Sequence, residues 1–229
     1  MRTLVICPSR GRIEKCERMV KSFRKTTHSA EMVIRVDEDD PDLASYLSFE
    51  CPAIPVIVGQ RKDITTMINE TFQLYKLDYD FFSVTNDDFF YQTKNWDLIL
   101  GYATRGFGIA YGNDGIQGER IPTTSVISAN LVHAVGWLQM PDLIGLYGDN
   151  VWKDIGQALG CLYYVPEVEI THMHPLQYRE EKDDTFKNTN SQERYRADYA
   201  TYLKWKKNDF PALIDKIYSS GLFKKGERA

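Results

Sequence analysis

Two hydrophobic periods alternate along the first half of the chain. Short apolar runs of strand length are separated by stretches where apolar residues recur every three or four positions, which is the pattern of βαβ units around a mostly parallel sheet. Thr3 to Cys7 reads as a buried first strand and Pro8 to Gly11 as a turn. From Arg12 onward Ile13, Cys16, Val20 and Phe23 fall on one helical face. Glu31 to Asp37 forms the second strand, and after the acidic Asp37-Glu38-Asp39-Asp40-Pro41 corner Ile54 to Val58 forms the third. Ile64, Met67, Ile68, Thr71, Leu74 and Tyr75 line another helix, and Phe81 to Thr85 is a fourth strand ending at Asn86-Asp87-Asp88.

The second half is less regular. Strands are expected near Gly108 to Tyr111 and Ser125 to Ser128, with a Gly-rich stretch between them up to Gly118. Asp149 to Leu159 has helical spacing, and Cys161 to Val165 and Val168 to His172 read as two further strands. Met173 to Asn190 reads as a polar loop. Two helices follow, Gln192 to Lys206, with Tyr195, Tyr199, Tyr202 and Leu203 on one face, and Pro211 to Tyr218. No repeat or linker divides the chain, so one domain over 1–229 is expected.

Composition narrows the class. With 229 residues, 43% of them apolar and 26% charged, the chain has the make-up of a folded globular protein. Its apolar runs are strand-sized, well short of the ~20 residues a membrane helix needs. The start, Met-Arg-Thr leading into a short strand, lacks the apolar core of a signal peptide, which predicts a cytoplasmic protein. The cysteines at 7, 16, 51 and 161 form no C-x-x-C pair, which argues against a zinc knot or redox motif. A net charge of −4 speaks against a surface built for nucleic-acid phosphates. Lys204, Lys206, Lys207, Lys224 and Lys225 are candidates for a local basic patch, with a solvated helix face as the plainer reading.

Ligands of open parallel sheets bind beyond the carboxyl ends of the strands, where loops and helix N-termini converge. Here those ends carry Pro8-Ser9-Arg10-Gly11-Arg12, Asp37 to Asp40, Gln60-Arg61-Lys62-Asp63 and Asn86-Asp87-Asp88. Cations and carboxylates on one rim suit a metal-bridged diphosphate, since guanidinium groups pair with phosphate oxygens while a carboxylate holds the ion.

In the order and context of these segments the sequence resembles the GT-A glycosyltransferases, in particular their small family-two-like members. The resemblance spans roughly Thr3 to His174 and rests on short motifs. It implies a GT-A, Rossmann-like α/β fold with C-terminal helices. It also implies a nucleotide-sugar-binding half at 1–90, an acceptor and metal-completing half at 91–190, and terminal helices at 191–229. The first strand running into Pro8-Ser9-Arg10 looks like the nucleotide-binding opening, joined by Arg12 and Arg61, and Asp37 matches the position that meets base or ribose. Asn86-Asp87-Asp88 looks like the D-x-D element with Asn in the first place, which leaves Asp88 to hold a divalent ion, Mn²⁺ or Mg²⁺. Tyr147-Gly148-Asp149-Asn150 resembles the acidic motif that supplies the general base of inverting members. Ile170-Thr171-His172-Met173-His174-Pro175 resembles the late histidine that completes the metal shell, and strand alternation would put His172 and His174 on one face.

Plainer roles stand beside these. Asn86-Asp87-Asp88 would serve equally as a turn, Asp37 to Asp40 as a solvated corner, Arg10 and Arg12 as helix-start surface residues, and Asp149 as a helix N-cap. The loop bearing Arg179, Lys182, Asp183 and Asp184 reads either as a lid over the diphosphate or as an exposed loop, and Trp137, Tyr147 and Trp152 either as sugar-stacking groups or as core. The expected reaction moves a sugar from a nucleoside-diphosphate sugar, a UDP-sugar foremost, to an acceptor hydroxyl deprotonated by Asp149, with inversion. Its rivals are a sugar nucleotidyltransferase, which usually opens on a richer glycine loop, and a non-catalytic nucleotide-sugar-binding module. Glycoside hydrolysis is disfavoured because no separate acid and nucleophile pair stands out. The acceptor stays open among glycan, lipid, protein, small molecule and modified nucleic-acid base.

Overall fold

The computed structural model describes residues 1–49, 54–178 and 182–221. Eight strands form a mixed, mostly parallel sheet in the order β3-β2-β1-β4-β7-β6-β8-β5. β1 (Thr3–Pro8) pairs in parallel with both β2 (Glu31–Asp37) and β4 (Phe81–Val84), and β2 pairs in parallel with β3 (Val56–Gly59). β1, β2 and β4 are buried on both faces, as expected of strands covered by crossover helices, while the edge strand β3 is only half-buried. Those helices are α1 (Ile13–Thr26), α2 (Leu43–Ser48) and α3 (Ile64–Tyr75). The face of α1 inferred from spacing is the buried one, with Met19 added to it. In α3 the inner face shifts by one position, so Phe72 is buried and Leu74, expected inside, is 66% exposed.

Beyond β4 come β5 (Phe89–Tyr91), α4 (Trp96–Ala103), β6 (Ile109–Asn113), a 3-10 turn at Gly118–Arg120, β7 (Val126–Ser128) and α5 (Ala129–Val135). β7 is antiparallel to β4 and β6, while β6 is parallel to β8 (Leu162–His172). The two late strands expected from the sequence are therefore one. Pro166 interrupts their apolar pattern, but it sits where the β6–β8 register shifts between Tyr111 and Asn113, a bulge that needs no N–H from it. Gly112 lies at that irregularity, and a Cβ there would fall 2.2 Å from the carbonyl oxygen of Val168.

α6 (Gly148–Leu159) precedes β8, and α9 (Gln192–Asn208) and α10 (Phe210–Ser219) close the described chain. The segment expected to be loop up to Asn190 carries two short helices, α7 (Pro175–Tyr178) and α8 (Asp184–Thr189). Helices this short show no apolar period; Asp183 caps α8 by accepting from the Phe186 N–H at 2.7 Å. α9 also turns differently from expectation: Asp198, Tyr202 and Trp205 face inward, leaving Tyr195, Tyr199 and Leu203 outside. Of the late lysines, Lys206 pairs with Asp154 at 2.8 Å, while 224 and 225 lie outside the described residues.

One apolar layer joins α3, α5, α6, α9 and α10 to one face of the sheet, and a second joins α1, α2 and α4 to the other. Cys7, Cys16 and Cys161 are buried free thiols, and Cys51 lies outside the described residues. No helix among the described residues is long and apolar enough to cross a membrane.

The topology decides where chemistry can gather. β1, β2 and β4 end at one edge of the sheet; β7 starts there, β6 and β8 end there, and β5 starts there. Since α6 runs into the opposite end of β8, its N-terminus lies at this same edge.

Candidate active site

A cavity of about 400 Å³ opens at that edge. Every site residue expected from the sequence lines it: Pro8, Ser9, Arg10, Arg12, Asp37, Arg61, Asn86, Asp87, Asp88, Asp149, His172 and His174. Their surroundings separate them into two groups.

The first group is internally neutralised. Arg12 donates to Asp87 Oδ1 at 3.0 Å and to Asp183 at 2.7 Å through a second nitrogen, and Lys15 also holds Asp183 at 2.8 Å. Ser9 donates to Asp87 Oδ2 at 2.6 Å. That spends its only proton, so the Tyr46 phenol, 2.6 Å from Ser9 Oγ, is the donor to it and accepts in turn from the Arg12 N–H. Arg10 bonds Asp37 at 3.0 Å and Asp39 at 2.6 Å, and Arg61 stands 3.4 Å from Asp39 at the exposed mouth. Burial is the largest influence on Asp183 and would raise its pKa, yet the bonds from Arg12 and Lys15 outweigh it and bring the value down to about 2. Burial pushes Asp37 up, only partly offset by Arg10.

The second group is more loosely paired, with Arg12 reaching Asp88 Oδ2 only at 3.9 Å. Asp88 is buried, and its Oδ1 accepts no hydrogen bond among the described residues. That oxygen lies 3.5 Å from His172 Nε2, too long for a well-formed bond but within ion-pair range. β5 makes this meeting possible. Its antiparallel pairing with β8 sets Phe89 opposite His172, with the rings stacked at 4.6 Å, and the Met173 N–H donates to the Asp88 carbonyl. Burial alone would raise Asp88, but His172 and Arg12 draw it down; burial would lower His172, but Asp88, Asp114 and Asp149 draw it up. Asp87 is pushed up to about 6 by burial, with the Asp88 charge adding to it against the pull of Arg12.

Asp149 belongs with this second group. The N-cap of α6 is Tyr147, so the N-cap role open to Asp149 on sequence grounds is not the one it fills. It sits in the first turn, half-buried, with no hydrogen bond to its carboxylate among the described residues. Burial pushes it up to about 6, with His172 pulling down and Asp114 pushing up. That value suits a base working near neutral pH.

His172 and His174 both reach the cavity, but strand alternation is not the reason. β8 ends at His172, and the His174 N–H turns back onto the His172 carbonyl at 2.8 Å. His174 packs edge-on to His172 at 5.2 Å and against Phe186 of α8 at 5.3 Å, so His172 is the histidine beside Asp88. Among the described residues no cluster of three or more His, Cys, Asp or Glu donors is poised for an ion. Asp88 and His172 supply two, and their 3.5 Å spacing lies just above the separation of about 3.0–3.4 Å between adjacent ligands that bind one ion at about 2.1 Å. A diphosphate and water would have to complete the shell.

Sequence reasoning missed two polar residues. Tyr46, on the unforeseen α2, supports Ser9. Asp114, after β6, accepts from the N–H groups of Ile116, Gln117 and Gly118 through one oxygen, while the other is buried with no hydrogen-bond partner among the described residues. The run Gly115 to Gly118 after Asp114 is the only local signal for it. Trp152 is core, its indole donating to the Leu138 carbonyl at 2.8 Å, and Trp137 packs on it; of the three candidate stacking rings only Tyr147 lines the cavity. In the expected lid segment Arg179 lies outside the described residues, while Thr185 and Phe186 line the cavity and the Thr185 hydroxyl donates to the Arg10 carbonyl.

No protein-family model matches the sequence, and no curated protein matches it. Solved structures match its fold. GalNAc-T7 with UDP, GalNAc and Mn²⁺ aligns with a TM-score of 0.61 at 15% identity, over 98% of this chain and 55% of that one. S. aureus TarS 1-349 in complex with UDP-GlcNAc gives 0.60 at 12%, over 97% and 72%. The mannosyltransferase PcManGT from Pyrobaculum calidifontis, in complex with GDP-Man and Mn²⁺, gives 0.59 at 11%, over 96% and 73%. The chain thus spans little more than half of the GalNAc-T7 chain. Identities this low carry the architecture alone, and that architecture, a mixed sheet with the cavity at its strand ends, is the GT-A fold.

Proposed function

We propose that the chain is a divalent-cation-dependent glycosyltransferase using a nucleoside-diphosphate sugar, a UDP-sugar foremost, and acting with inversion. The observation that carries this reading is the pair Asp88 and His172, a bare buried carboxylate oxygen 3.5 Å from an imidazole nitrogen, set in a cavity at the strand ends. The matched structures support the donor class, since all three were solved with nucleotide or nucleotide-sugar and two of them with Mn²⁺.

In this reading Asp88 and His172 hold Mn²⁺ or Mg²⁺, with His174 packed behind His172. The bound ion would supply Lewis-acid stabilisation of the charge on the departing diphosphate. Asp37, with one oxygen free of hydrogen bonds, faces the base or ribose. Arg10 and Arg61 lie at the mouth, where phosphate can compete with Asp39 for them. Asn86, exposed to the cavity, contacts the donor beside the ion. Asp149 takes the proton of the acceptor hydroxyl as that oxygen attacks the anomeric carbon from the face opposite the leaving group, and so inverts it.

The test is a thermal-shift screen of UDP-, GDP-, CMP- and dTDP-sugars with and without Mn²⁺. Stabilisation of about 3 kcal/mol is expected at a hundredfold excess over Kd, for one nucleotide and only with the ion. If Asp88→Ala kept the same metal-dependent shift, the assignment of Asp88 would be wrong.

A further inference from the structure

The outer face of α9 has no use in the scheme above. It is anchored from inside: Asp198 accepts from the N–H groups of Ile144, Gly145 and Leu146, and Tyr202 donates to Asp154 at 2.6 Å. On the other side Tyr195, Tyr199 and Leu203 stand one helical turn apart and are 56%, 45% and 44% exposed. The ring of Tyr147 meets Tyr195, Tyr199 and Tyr202, each at 5.4 Å. Tyr147 itself is held at φ 66°, a left-handed conformation that a bulky residue adopts only when its surroundings impose it.

Tyr147 and Arg194 also line the cavity, so the aromatic surface runs without a break from solvent into the site. It enters two residues before Asp149, the proposed base. We infer that Tyr147, Tyr195 and Tyr199 form a shelf that binds an oligosaccharide acceptor, its sugar rings lying on the phenol faces and its terminal hydroxyl directed toward Asp149. This rests on the transferase reading and names the acceptor class that reading leaves open.

The chemistry of the shelf favours a saccharide over other occupants. Flat phenol faces suit the C–H faces of sugar rings, and phenol hydroxyls at their edges can exchange hydrogen bonds with sugar hydroxyls. A lipid surface would favour a broader aliphatic face, whereas Leu203 is the only exposed aliphatic residue in this row. A bilayer also cannot follow the surface inward to Asp149, while a chain of sugars can. Because α9 and the 144–146 loop are tied together through Asp198, the shelf is rigid, and binding need not order it first.

The experiment uses the full chain and neutral tetrasaccharides built on glucose, mannose, galactose and N-acetylglucosamine, with binding read by saturation-transfer NMR. At least one should bind. The double variant Tyr195→Ala/Tyr199→Ala should weaken it by about tenfold, and Tyr195→Phe/Tyr199→Phe by less than about threefold. Both variants should bind UDP with Mn²⁺ unchanged, since neither residue lines the cavity, and the phenylalanine pair, which keeps the ring contacts to Tyr147, should melt like the parent. The shelf is overturned if no tetrasaccharide binds, if the alanine pair binds as well as the parent, or if that pair instead loses binding to phosphatidylcholine–phosphatidylglycerol vesicles. The two ideas fail separately: UDP binding without saccharide binding removes the shelf alone, and saccharide binding without any nucleotide response removes the transferase reading.

Discussion

On the cavity wall made by the ends of β1 and β2, nearly every charge has its counter-charge in contact. Arg12 lies between Asp87 and Asp183, and Arg10 between Asp37 and Asp39. On the wall made by Asp88, β8 and the start of α6 the pairing is looser: among the described residues one Asp88 oxygen accepts no hydrogen bond, His172 stands 3.5 Å and Arg12 3.9 Å from that carboxylate, and no ion pair reaches Asp149. Both walls carry buried carboxylates, so burial alone does not separate structure from chemistry. Counter-charge does. A carboxylate already paired has little left for a ligand, whereas one left bare in the interior is tolerable only when something else arrives to balance it. Arg12, which with Arg10 is a phosphate-contact candidate from sequence, also braces the D-x-D-like segment against the segment before α8.

The contrast can be broken most sharply at the unpaired wall. Asp149→Asn should lower kcat by about 10²–10⁴ with metal-dependent nucleotide binding intact, because it removes the proposed base and no proposed binding contact. The parent kcat/KM should rise with pH through an acid limb at or below about 6, as Asp149 loses its proton, and the residual activity of the variant should lack that limb. An unchanged rate would leave a non-catalytic binding module as the better description.

A smaller effect, this time on stability, is expected at the paired wall. Arg12→Met keeps much of the volume but strands Asp87 and Asp183, and should destabilise by about 3–5 kcal/mol in urea unfolding. A loss under about 1 kcal/mol would place Arg12 with the ligand instead. The smallest effect concerns Asp183. Its folded pKa of about 2 lies below the ordinary 3.8, so its contribution is fully present above pH 3.8 and is lost as pH falls toward 2. Comparing Asp183→Asn with the parent, the stability difference of at most about 2 kcal/mol at pH 7 should shrink steadily below pH 4. A difference independent of pH would mean that the ion pair does not form in solution.

The paired wall was also the more legible one. β1, β2, α1 and α3 repeat with clean periods, so the residues at their ends, Ser9, Arg10, Arg12 and Asp37, could be placed on one rim from spacing alone. What spacing could not give was partnership. Nothing local in the sequence ties Arg12 to Asp183 or Tyr46 to Ser9, since those contacts depend on how distant elements pack. The unpaired wall hangs on features that leave almost no periodic trace. β5 is three residues long, Pro166 hides the continuity of β8 behind a bulge, and α8 is a single polar turn or so. His172 could be named from its motif, but its place beside Asp88 comes from a strand too short to announce itself.

The pairing of β5 with β8 has a consequence for assembly. Phe89 follows Asp88 directly, whereas His172 arrives only after two further strands and three helices have taken their places, so this is a contact of high sequence separation. Such contacts close late, because the entropy of the intervening loop is lost before they are rewarded. The Asp88–His172 pair is therefore expected to be the last part of the site to mature, and an ion captured there would act as a latch on the finished fold.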